Sequence, residues 1–130
     1  MEHELKHLSK EDIHKIAVKD DFHIAPFRED GVTYGTLTWI WSVEVNGELY
    51  VRAYNGKRSG WYSAAVKQKA GKIEGAGLAR KVEFEPVGGA INHLIDEAYK
   101  KKYKGSPYLA AMVSNRATEA TVRVKCCIRI

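Results

Sequence analysis

The residues best suited to chemistry lie in one short run, Asn55-Gly56-Lys57-Arg58-Ser59-Gly60, followed by Trp61-Tyr62. Two cations and a hydroxyl sit between glycines. Glycine lets backbone approach a ligand closely, and a helix that follows presents N–H groups to an anion. A helix over Trp61 to Gln68, with Ser59 or Gly60 near its N-cap, would complete a phosphate cradle. The plain alternative is an ordinary solvated loop. The spacing is not that of a Walker P-loop.

Other chemical signals are weaker. His3-Glu4-Leu5-Lys6-His7 has the formal pattern H-E-x-x-H. It sits at the extreme terminus, and Ser9 begins a new helix directly after it. His14 is one residue too late for a third ligand, so zinc hydrolysis is not expected and no metal site is assigned. Cys126 and Cys127 are the only cysteines. Neighbours on a strand point to opposite faces, so the pair reads as free thiols, one in the core and one partly exposed. Gly75-Ala76-Gly77 lacks the spacing and the following helix of a dinucleotide fingerprint. Asp96 and Glu97 are adjacent on a helix and do not face each other.

The stretch that must position these groups is Thr36 to Tyr62. Runs of β-branched and aromatic residues flank Asn46-Gly47, the strongest short-range hairpin signal. With those two residues as the loop, Val45 faces Glu48, Val43 faces Tyr50, Trp41 faces Arg52, and Trp39 faces Tyr54. These side chains share one face. The other face carries Ile40, Ser42, Glu44, Leu49, Val51 and Ala53, which suits the inside of a small barrel. Trp41 opposite Arg52 suggests a cation–π pair. The aromatic face has two readings. It is either a second core face with Arg52 snorkelling to water, or a platform for a planar anionic ligand.

A chain of 130 residues is read as one domain, with 1–8 as a flexible or loosely packed tail. Its net charge of +5 and pI near 9.2 permit anionic ligands without demanding nucleic acid, since acidic residues are interspersed throughout. No apolar run approaches a membrane span, and no signal pattern opens the chain, so a cytoplasmic location is expected.

Elsewhere, Ser9 to Asp12 reads as a capping box with Leu8 and Ile13 as its staple. Ile13, Ile16 and Ala17 form the buried stripe of a helix ending near Lys19 or Asp20. Phe22 to Phe27 reads as a strand closed by Pro26, and Arg28 to Gly31 as a turn. Gly71 reads as a helix C-cap or loop residue. Strands follow over Lys72 to Ala76 and Leu78 to Val87. Ala90 to Tyr103 reads as an amphipathic helix with Ile91, Leu94, Ile95, Ala98 and Tyr99 buried. Its terminal lysines, 100 to 102 and 104, read as solvated. Ser106-Pro107 starts a short helix to Val113, and Ala120 to Ile130 is a half-buried strand. Six or seven strands with three or four helices give an α+β, mainly β, chain. It closes most easily as a small, mostly antiparallel split β-barrel with helices packed outside.

Several stretches resemble an uncharacterised bacterial family, domain of unknown function 2255: His23 to Val43 (HIAPFREDGVTYGTLTWIWSV), Leu49 to Gly56 (LYVRAYNG), Ser59 to Tyr62 (SGWY) and Ser106 to Leu109 (SPYL). More distantly, the order of elements is similar to the split β-barrel flavin-binding group, including deazaflavin-dependent nitroreductases. Those proteins place a helix opening on a Trp-Tyr-like pair after a hairpin, as Trp61-Tyr62 does here. Their Gly-Arg-Lys-Ser-Gly phosphate segment precedes a strand, whereas Gly56 to Gly60 follows one.

That resemblance implies a flavin- or deazaflavin-binding oxidoreductase. Lys57, Arg58 and Ser59 would hold the phosphate of FMN or a deazaflavin, with Arg52 adding charge. Trp39, Trp41, Tyr54 and Trp61 would surround the ring, and Tyr34 or Tyr62 would supply a proton. No residue is assigned as the catalyst. The alternative is a cofactor-free module whose aromatic face binds a small ligand or closes a homodimer. Single-stranded nucleic acid is a third candidate partner, against which stands the lack of any RNP or cold-shock signature.

Overall fold

A computed structural model of the protein describes residues 5–126. The Asn-Gly signal folds as expected: Asn46 and Gly47 both take positive φ, 53° and 80°, between β3 (Ser42–Val45) and β4 (Glu48–Arg52). Their register runs from Val45↔Glu48 to Ser42↔Val51. The expected pairs beyond it do not form. Trp39 belongs to β2 (Thr38–Trp39), which pairs with β1 (His23–Pro26) through His23↔Trp39. Arg52 pairs with Thr121 of β7 (Thr121–Cys126). The chain therefore changes partners across Ile40-Trp41.

That switch closes the fold. With β5 (Ala70–Gly75) and β6 (Leu78–Pro86), the strands form one sheet in the order β2-β1-β5-β6-β7-β4-β3, and every pairing is antiparallel. β2 and β3 are its two edges, yet only two residues join them. A flat sheet of this order would hold its edges roughly 29 Å apart, and so short a link reaches roughly 10 Å. The sheet must curl into a half-barrel, split between its β2 and β3 edges.

The inner face carries Ile24, Leu49, Val51, Ile73, Val82 and Val124, to which α1 (Lys10–Ala17) adds Ile13 and Ile16. Ser9 caps α1 in a full capping box with Asp12, as its residue types predict. From α2 (Gly60–Gln68), Tyr62 and Ala65 join the same core. The outer face of the hairpin is not solvated. Trp41, Val43, Val45 and Tyr50 lie under Ile95, Tyr99 and Tyr103 from α3 (Ile91–Lys102) and its C-cap. The packing reading of the aromatic face therefore holds for Trp41.

Several expectations need correction. Residues 6–8 are not a loose tail: Leu8 is buried, and backbone bonds link Lys6 and Leu8 to Lys81. His7 bridges Lys81 on extended backbone, while His3 and Glu4 of the H-E-x-x-H pattern lie outside the described residues. The C-cap of α2 is Lys69 in the left-handed region. Gly71 instead faces Pro26 inside β5, where a Cβ would stand 2.5 Å from the Ala25 carbonyl. Leu94 is exposed, and Lys102 is partly buried with its ammonium 2.6 Å from the Ser42 carbonyl. The expected 106–113 helix is only α4 (Leu109–Met112), followed by an unanticipated α5 (Asn115–Thr118). Cys126 is exposed, and Cys127 lies outside the described residues. No helix among the described residues is long and apolar enough to cross a membrane.

Candidate functional site

Along β2, its link to β3 and the end of β4, the structure opens a cavity of about 660 Å³. Six of the residues selected from the sequence border it: Trp39, Trp41, Arg52, Tyr54, Ser59 and Trp61. Lys57 and Arg58 do not. They line an adjoining pocket of about 510 Å³ with Arg116 and Glu119. Asn55 belongs to both spaces, so an aromatic cavity and a cation-lined pocket meet at one residue.

The aromatic walls are built from several elements. Trp39 is half exposed, and its indole N–H donates to the Asp20 carbonyl at 2.9 Å. Trp41 stacks flat on Tyr103, with ring centroids 3.8 Å apart and planes 3° from parallel. Tyr54 meets Tyr108 edge to face at 6.1 Å, and the Arg116 guanidinium lies over the Tyr54 ring at 5.8 Å. Trp61, in the first turn of α2, meets Tyr62 edge-on. Ser59 is the N-cap of α2, and its side chain makes no capping bond. The run before it is a 3₁₀ turn, Gly56–Arg58. Gly56 is required there, because its φ is +71° and a Cβ would lie 2.6 Å from the Arg116 side chain.

Arg52 has a different role from the one its charge suggested. It is fully buried. Its Nε donates to Thr121 Oγ1, Nη1 to Asp96 and the Met112 carbonyl, and Nη2 to the carbonyl and side chain of Asn92. Those five contacts match the five N–H donors of a guanidinium, leaving none for an anion. Its cation–π partner is Tyr99, at 5.5 Å, rather than Trp41. Arg52 thus braces the cavity floor by tying the sheet to α3 and α4.

The proposed proton donors are also displaced. Tyr34 stacks on Phe27 and carries the Lys72 ammonium over its ring, outside the cavity. Tyr62 is buried in the inner core, where desolvation raises its hydroxyl pKa. Tyr103 stands on the cavity wall instead. Its hydroxyl receives the Ser42 N–H at 3.2 Å and donates to Asp20 Oδ1 at 3.2 Å. Burial pushes that hydroxyl pKa well above its ordinary value, so Tyr103 stays a neutral donor. Beside it, desolvation lowers the Lys102 ammonium to about 8, opposed by Asp20 and Asp21. Sequence reasoning missed Asp20, Tyr103 and Arg116 at the site. Of the other lining residues, Ser106 and Tyr108 carried a signal, within Ser106-Pro107-Tyr108-Leu109.

Residues 12–124 match the family model described as "Uncharacterized protein conserved in bacteria (DUF2255)". The chain belongs to this family. No curated protein and no solved structure matches it.

Proposed function

We propose that this DUF2255 protein binds a planar, phosphate-bearing cofactor of the flavin or deazaflavin class and works as an oxidoreductase with it. The observation that carries the reading is the junction at Asn55, where an aromatic cavity opens beside a pocket bearing Lys57, Arg58 and Arg116. A volume of about 660 Å³ falls within the usual range of small-molecule sites. Glu119 shares the cationic pocket, but three cations outnumber its one charge.

Trp39, Tyr54 and Trp61 would hold the ring by stacking and shield it from water, beside the wall that the packed Trp41 and Tyr103 form. Lys57 and Arg58 would hold the phosphate through charge-assisted bonds, with the Ser59 hydroxyl beside them. Bound there, such a cofactor supplies the hydride chemistry. Tyr103 holds a proton at its hydroxyl on the cavity wall and keeps it at neutral pH.

The test is quenching of tryptophan fluorescence by FMN, FAD and the deazaflavin cofactor. Saturable quenching that weakens at least tenfold in Arg58→Ala is expected. Absence of quenching at high micromolar ligand would overturn the reading.

One observation favours a second reading. Trp39, Tyr54 and Tyr108 border the cavity while 50%, 43% and 59% exposed. Such a rim suits a cofactor-free module whose mouth is covered by a second copy of the chain. A dimeric mass in solution without flavin affinity would support that reading.

A further inference from the structure

We infer that Asp20 is the specificity-determining acceptor of the cavity, selecting planar ligands that present a ring N–H at their edge. The inference rests on the proposed ring-binding cavity and adds which edge of the ring faces which wall.

Asp20 is solvent-exposed at the border of the cavity, and hydrogen bonds hold it there. Its backbone carbonyl takes the Trp39 indole N–H at 2.9 Å, which fixes the residue against one aromatic wall. Its Oδ1 accepts from Tyr103, whose own hydroxyl is held by the Ser42 N–H. No partner to Oδ2 is found among the described residues. Among the described residues, Asp20 is the one acid bordering the cavity, and the one cation there, Arg52, has all five donors engaged. The neighbouring Lys102 ammonium is directed to the Ser42 carbonyl. One carboxylate oxygen thus remains as the charged group available to a ligand.

A carboxylate oxygen accepts hydrogen bonds and cannot donate one while ionised. It favours an imide or amidine N–H and repels a carbonyl or an alkylated nitrogen at the same position. In an oxidised flavin or deazaflavin ring, the imide N–H of the pyrimidine portion meets that requirement. The inference therefore places the pyrimidine edge beside Trp39 and Tyr103, with the phosphate tail leaving past Asn55.

The probes are FMN and its N3-methyl derivative, which lacks the imide proton. Both are titrated against the full chain by tryptophan fluorescence. The wild type is expected to bind FMN at least tenfold more tightly than N3-methyl-FMN, as for a hydrogen bond to a charged group. Asp20→Ala should abolish that preference, weakening FMN binding while N3-methyl-FMN binds no more weakly than to the wild type, its fold checked by circular dichroism. Tyr103→Phe, which releases Oδ1 but keeps the stacked ring, should reduce the preference without abolishing it. Tight FMN binding with no discrimination, or discrimination that survives Asp20→Ala, overturns this inference and leaves the cavity reading standing. Failure of both probes to bind the wild type overturns both.

Discussion

Arg52 shows how burial changes what a charge does. In the sequence it is a cation among aromatics, close to an anion-binding loop. In the structure it is a clamp with every donor engaged, reaching Asp96 on α3 and the Met112 carbonyl on α4. Arg52 is the buried member of a part-buried ion pair, and removing it strands the half-buried Asp96 carboxylate and the Asn92, Met112 and Thr121 acceptors. Arg52→Leu is therefore expected to cost about 3 kcal/mol, read from the urea midpoint, and adding Asp96→Asn should recover part of the loss. Lys102 gives a second test. Its folded value of about 8 lies below the ordinary 10.5, so the unfolded chain binds more protons between the two. Stability should rise as pH climbs through that window. Burial raises Tyr99 and Tyr103 above 10.0, so the folded chain keeps protons that the unfolded chain loses, and stability should fall above about pH 10. Urea midpoints across this range should pass through a maximum, and Lys102→Met should remove the rising limb.

At the scale of elements, the features legible in the sequence were those decided locally. Asn46-Gly47 sets a turn through its own backbone preferences, and Ser9 with Asp12 caps a helix within four residues. The partner switch at Ile40-Trp41 was not legible. Trp39 to Val45 alternates like one strand, and only the meeting of two sheet edges decides where it must break. The same distance in sequence concealed the site. Its aromatic members were recognisable by type, but Asp20, Tyr103 and Arg116 come from three separate segments that only the curled sheet and its helices bring together. A local rule was also broken without warning. Lys69 ends α2 at φ 64°, a conformation that costs a side-chain-bearing residue about 1 kcal/mol or more. Lys69→Gly should therefore raise the urea midpoint by the equivalent of about 1 kcal/mol. An unchanged or lower midpoint would show that the Lys69 side chain makes a compensating contact.

Across the whole molecule, closure and site have one cause. Joining the two edges of the sheet through two residues forces the curl, and the strands that part at the join leave the cavity between them. The hairpin brings Tyr54 and Asn55 to that gap, the 3₁₀ turn sets Lys57 and Arg58 beside it, and α5 supplies Arg116. The proposed function requires the aromatic cavity and the cationic pocket to serve one ligand. The most direct measurement compares FMN with riboflavin, which has the ring but no phosphate, on the wild type and on Arg58→Ala/Arg116→Ala. The expected result is at least tenfold tighter FMN binding by the wild type, weakening with added salt and lost in the double variant. Equal affinity of the wild type for both compounds, or binding of neither, would contradict it.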